Sequence, residues 1–202
     1  MQIQKINASF YNKNTKLSSK PTFGSKVSTQ GLKNINIGSM PAGNIGKIKV
    51  LKANGKEAWL DVIKSTYHDY VTYNFVNELK QVIGKIEFRF NKYVWPLEGE
   101  KDHVFVTELR NFSNPNTPYY TKGLEEYKQI GTKLLQVAEK RSFENNCNGN
   151  IELVAKRRQE VLKFYENLGF RQASNVGLYG NPYRLQLAED KIESLAMKYG
   201  GI

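Results

Sequence analysis

From Lys47 onward apolar and polar positions alternate with a period of two. "KIKVLKANGKEAWLDVIKS" keeps that alternation on both sides of Asn54-Gly55, a dipeptide suited to a two-residue hairpin turn, and predicts an N-terminal β-hairpin. "YVTYNFVNEL" is dense in β-branched and aromatic residues. "VIGKIEFRF" sets Ile86, Phe88 and Phe90 on one face, and after a turn at Trp95-Pro96 "HVFVTELRNF" reads as a further strand. No helical window occurs between residues 47 and 120. The period then changes: Leu124, Tyr127, Ile130, Leu134 and Ala138 recur every three or four residues and predict the first long helix within 124–145. "GNIELVA" is a short buried strand, Val161, Leu162, Tyr165 and Leu168 mark a second helix stopped at Gly169, short strands follow near 171–187, and "EDKIESLAMKY" predicts a last helix. About five antiparallel strands, then strand–helix alternation, give an α+β or α/β fold: a mixed, mostly antiparallel central sheet flanked by helices.

Residues 1–45 lack this patterning. Asn, Ser, Lys, Gly and Thr dominate, and such a composition buries too little apolar area to offset the entropy of ordering it. The expected organisation is a flexible lysine-rich tail over 1–45 and one folded domain over 46–202. Charge follows the same division. The net charge is +11, yet ten lysines precede the first acidic residue, Glu57, so residues 57–202 carry about +1. A nucleic-acid enzyme gathers basic charge around its groove, and a near-neutral domain argues against that class. One cysteine, Cys147, excludes an internal disulfide, and two distant histidines, His68 and His103, make no metal cage. No apolar run has the roughly 18–20 residues of a membrane span, and the N-terminus lacks the apolar centre of a signal peptide, so a cytoplasmic protein is expected.

Chemistry concentrates in two motifs and their order. The strand "HVFVTELRNF" is followed by "QIGTKLLQVAEK", by the strand "NIELVA" and by "KFYENLGF". Over roughly residues 70–187 this order resembles the GNAT superfamily of acetyl-CoA-dependent N-acyltransferases. Gly131, near a helix start, permits close backbone approach, and the free N–H groups of a first helical turn bind phosphate oxygens; the same glycine equally suits close helix–strand packing.

The resemblance implies acetyl-CoA as co-substrate and no metal. Its phosphate loop runs Gln/Arg-x-x-Gly-x-Gly/Ala, where this chain has Glu126, Gln129 and Gly131; only the last fits, and Glu126 sets a negative charge beside the expected phosphates. Tyr127, Lys128, Gln129, Ile130, Gly131 and Thr132 are the expected phosphate-binding run. The resemblance places main-chain groups of Leu109, Arg110 and Asn111 along the pantetheine arm and the acetyl carbonyl. It makes Tyr165 the general acid for the departing thiolate, and Arg158 stands where the family often has Asn. A half-buried aromatic packed for its own sake is the other reading of Tyr165.

Glu108 is the expected general base, with His103 a weaker alternative. Strand alternation leaves open which way Glu108 faces. The acceptor is either a small-molecule amine in a cup closed by Tyr119 and Tyr120 or a peptide amine on a strand edge, and the protein is a monomer or homodimer. The competing function class is an inactive GNAT-fold binding module whose basic tail contacts a partner.

Overall fold

The computed structural model describes residues 31–92, 101–173 and 183–202. Strand β1 (Gly43–Lys52) is followed by β2 (Glu57–Tyr67), β3 (Tyr70–Val76), β4 (Val82–Asn91), β5 (His103–Asn111) and the two-residue β6 (Tyr127–Lys128). Helix α1 (Ile130–Glu144), β7 (Ile151–Val154), α2 (Gln159–Glu166), β8 (Phe170–Gln172), β9 (Arg184–Leu187) and α3 (Ile192–Met197) complete the order. The strands form one sheet, β6-β1-β2-β3-β4-β5-β7-β9-β8, in which all neighbours are antiparallel except β5 and β7. The mixed, mostly antiparallel sheet expected from the pattern is therefore present. No helix among the described residues is long and apolar enough to cross a membrane.

Turn chemistry explains the N-terminal hairpins. Gly55 has φ +82°, and the Asn54 side chain accepts the Lys56 N–H at 3.0 Å, so the Asn-Gly pair closes β1 on β2. His68, at φ +52°, makes the two-residue turn between Tyr67 and Tyr70. Ile86 and Phe88 face the core together, with the half-buried Phe90 packed against it, as the alternation requires.

The sheet curls. Lys52, at the end of β1, pairs with Tyr127, only two residues before the N-cap of α1, whereas α1 packs on β4 and β5 in the middle of the sheet. A Cβ on Gly84 of β4 would lie 2.5 Å from Ile130 and 3.1 Å from Leu134, so helix and strand meet at the closest approach a glycine allows. The long helix expected within 124–145 thus begins later: Tyr127 is buried because β6 pairs with β1, and it is not on a helical face.

Helix α1 is enclosed on its polar side too. Lys133 donates to the carbonyls of Tyr199, at 3.0 Å, and Gly201; Gln136 donates to those of Leu195 and Lys198 at 2.8 and 2.7 Å. Burial lowers the Lys133 pKa. At its far end Glu144 accepts the N–H groups of Ile37 and Gly38 at 2.9 and 2.8 Å. This corrects the expected tail. Leu32 and Ile37 are fully buried, and the Lys64 ammonium, its pKa lowered by burial, donates to the carbonyls of Ile37, Gly38 and Met40 at 3.2, 2.7 and 2.6 Å. The folded part therefore includes residues 31–45, because isolated apolar residues in a polar stretch dock under a lysine that caps their carbonyls. The rest of the expected tail, the Trp95-Pro96 turn and the centre of the 171–187 stretch lie outside the described residues.

Candidate active site

The parallel pair is short. Val104, Phe105 and Val106 of β5 face Ile151, Glu152 and Leu153 of β7, and the pairing stops there. Next in β5 comes Thr107, skipped in the ladder: Phe88 opposes Val106, and Glu87 opposes Glu108. Such a bulge bends a strand and increases its twist. The Thr107 hydroxyl fixes the kink by donating to the Glu87 carbonyl at 3.2 Å. Beyond it β5 runs on to Asn111, while Ala155, past the end of β7, bonds the carbonyl of Tyr183 instead. The two strands part, and the main chain of residues 107–111 is left without a partner strand on the β7 side among the described residues.

One side chain bridges the parting. The ring of Tyr119 lies 4.8 Å from the guanidinium of Arg110, on β5, and 4.4 Å from the ammonium of Lys156, just past β7; Lys156 also donates to the Tyr119 hydroxyl. Tyr165 is close enough to Tyr119 to be influenced by it. The Tyr165 ring sits between Phe164 and Phe170, with ring centres 5.1 and 5.5 Å away. Burial first, and Tyr119 second, raise the Tyr165 pKa, so the phenol holds its proton. Tyr119 was visible in sequence only as an aromatic near the acceptor. Lys156 was missed: its signal, a basic run directly after a buried strand, looks like a solvated helix start.

At the start of α1, Gln129 is the N-cap in the left-handed conformation (φ +68°, ψ +5°). Glycine adopts that geometry freely, and glutamine holds it at a cost of about 1–2 kcal/mol. A left-handed residue leading into a helix turns successive N–H groups into one concavity, the backbone form of an anion site. No side chain caps this end and no acidic residue stands in the first turn. Glu126 is exposed, with its carbonyl accepting the Ala53 N–H; it is Glu125 that pairs with Lys52, at 2.9 Å, a contact that lowers the Glu125 pKa. These groups fit a pyrophosphate: donor N–H groups uncapped, with Lys128 exposed beside them.

Other expected residues are placed as follows. The Tyr127 N–H is taken by the Ser113 hydroxyl at 3.3 Å, Ile130 is core, and Thr132 is buried. Gly131 faces α2: a Cβ there would lie 3.0 Å from the ring of Phe164. Arg158 is the exposed N-cap of α2. Leu109 shares the face of Ile86 toward α1, its ladder partner. Glu108 and Arg110 point to the opposite face, where Glu108 is paired with Lys85 at 2.5 Å and with Arg110. His103 is buried, 3.6 Å from Glu152 and 3.2 Å from Asn91. Cys147 is buried, and burial raises its pKa, which suits packing and not nucleophilic chemistry. Among the described residues no group of His, Cys, Asp or Glu side chains is arranged to hold a metal.

No protein-family model and no curated protein matches the chain. Solved structures do. It is similar to AtaTR bound with AcCoA (17% identity over 63% of this chain and 73% of that one, TM-score 0.43) and to nourseothricin acetyltransferase (12%, 73% and 83%, TM-score 0.38). It is also similar to KacTA in a complex with DNA (15%, 64% and 74%, TM-score 0.45). At such identities and TM-scores the similarities carry nothing about activity or substrate. Antiparallel strands leading to one parallel pair, a buried helix crossing between its members and a second helix after it are the arrangement that the motifs' resemblance to the GNAT superfamily implied.

Proposed function

We propose that this protein moves an acetyl group from acetyl-CoA to an amine by direct attack in a ternary complex. The reading rests above all on one feature: β5 parts from β7 at a bulge, and a buried, protonated phenol, Tyr165, stands beside the side chain that spans the parting. When bound, acetyl-CoA supplies an activated thioester carbonyl and a sulfur leaving group. The N–H groups at Gln129–Thr132, with Lys128, hold its phosphates. Main-chain groups of Leu109, Arg110 and Asn111, freed by the parting, take the pantetheine arm and aim a donor at the carbonyl oxygen. Arg158, at the start of α2, adds positive charge.

Tyr165 gives its proton to the sulfur. Glu108 takes the proton of the amine through water. The acceptor is a small amine or a peptide amine, and the compartment is the cytoplasm. Incubation with acetyl-CoA and a panel of small amines and lysine peptides, read as free coenzyme A thiol, is the test: amine-dependent release supports transfer, and none across the panel overturns it.

A second reading, an inactive binding module of the same fold, draws support from Glu108. With both Lys85 and Arg110 on its carboxylate, that residue is engaged before any amine arrives. Under this reading acetyl-CoA binds and no thiol is released.

A further inference from the structure

Further along α1 lies a cavity that acyl transfer does not use. It sits between the helix and the segment 196–202 and measures about 250 Å3, several times the roughly 30 Å3 share of one water. Glu139 is eight residues beyond Gly131, about 12 Å along the helix axis, so this is not the parting of β5 and β7. Tyr199, Gly200 and Gly201 take left-handed φ values of +54°, +79° and +69° in succession, arching the chain over the space. Lys133 pins the arch by the carbonyls of Tyr199 and Gly201, and Gln136 holds the chain before it by those of Leu195 and Lys198. Phe143, Ala196 and Met197 give the wall an apolar part.

The polar part of the wall is unfinished. Both bonds of Gln136, to Leu195 and Lys198, use its amide nitrogen, which fixes the orientation and leaves its oxygen, buried, with no hydrogen-bond partner among the described residues. Neither carboxylate oxygen of Glu139, a residue 1% exposed, has a partner either. The two side chains are three residues apart on α1 and so share a face. Three buried oxygens without partners are a combination folded proteins avoid unless something else bonds them.

A metal ion suits the wall poorly, since one carboxylate and one amide oxygen are too few hard ligands. An alkylammonium matches in number, with three N–H donors on one centre, and its charge beside Glu139 favours the ionised carboxylate. We propose that this cavity binds a small primary amine as its ammonium ion, the head between Glu139 and Gln136 and the alkyl body against Phe143, Ala196 and Met197. Lys33, Lys140 and Glu144 also border the space. The Lys140 ammonium is turned to the Lys33 carbonyl, at 3.2 Å, and to Glu144, at 3.5 Å, and these two lysines disfavour a second positive charge on the ligand. The site selects monoamines.

Titration calorimetry of the full chain with n-butylammonium chloride is the test, with tetramethylammonium chloride, which has no N–H, as the control. Saturable binding is expected, weakened by about tenfold or more for tetramethylammonium and in Glu139→Gln, as for the loss of a charge-assisted bond. Ala196→Leu, which fills the cavity without touching the carboxylate, gives the same loss and decides the matter should Glu139→Gln fail to fold. Absence of saturable binding to the wild type, or equal affinity in the folded variants, overturns the proposal.

Discussion

The ammonium of Lys156 both donates to the hydroxyl of Tyr119 and stands 4.4 Å from the centre of its ring, fastening one side chain from beyond β7 to another beyond β5. That clasp crosses the gap where two parallel strands have ceased to pair. It is made of a charge-assisted bond and a cation–π contact, together worth about 1–2 kcal/mol. Lys156→Ala is expected to weaken acetyl-CoA binding about three- to tenfold in calorimetry while the melting temperature stays within about 2 °C of the wild type, as for a surface change.

Tyr165 carries a different kind of prediction. Its ring is packed between Phe164 and Phe170, so Tyr165→Phe keeps the packing and removes only the proton. Turnover is expected to fall about 10²–10⁴-fold, the usual size of a general-acid contribution, with acetyl-CoA affinity nearly unchanged. Unchanged turnover in a thiol-release assay would remove Tyr165 from the acid's role.

Gly84 tests the packing that positions α1. A side chain there meets Ile130, Leu134 and the Arg110 carbonyl, none of which has room to give. Gly84→Val should destabilise the protein by about 1–3 kcal/mol, the range of overpacked cores. A thermal melt then falls by several degrees.

Glu139 makes stability depend on pH. Burial raises its carboxyl from the ordinary value near 4.5 to about 8, with Lys33, Lys140 and Glu144 the charged residues bordering the same cavity. Between those values the folded chain binds a proton that the unfolded chain has lost. The group's contribution is therefore full below pH 4.5 and is lost as pH rises toward 8, by up to about 1.4 kcal/mol per unit. Urea melts at pH 5 and pH 8 should differ more for the wild type than for Glu139→Gln, and equal differences would contradict the assignment.

What could be read from the chain was what depends on near neighbours. The Asn54-Gly55 turn and the alternation of Ile86 and Phe88 are set by residues within a few positions of one another and stand in the structure; α2 ends at Glu166, with the expected Gly169 in the left-handed conformation three residues on. Tyr127 misled because burial by a distant strand, β1, mimics burial on a helical face. Leu32 and Ile37 were hidden in a polar segment, since Lys64 and Glu144, which bond the Ile37 carbonyl and N–H, lie far along the chain. The left-handed Gln129 was traceable only through the motif, which has glycine, the residue that conformation favours, at this position. Lys133 and Gln136 are polar residues whose burial the helical spacing does not show, because chain more than sixty residues later covers them. Of the candidate site, a helix beginning near Gly131 was legible in the apolar spacing, while the clasp of Lys156 on Tyr119 was not.

Titration calorimetry with acetyl-CoA, run beside coenzyme A and ATP, tests the central claim most directly. The uncapped start of α1 and the parted strands predict micromolar binding shared by acetyl-CoA and coenzyme A and not by ATP. No binding of either at millimolar concentration would contradict it, and with it the assignment of α1's first turn to phosphate.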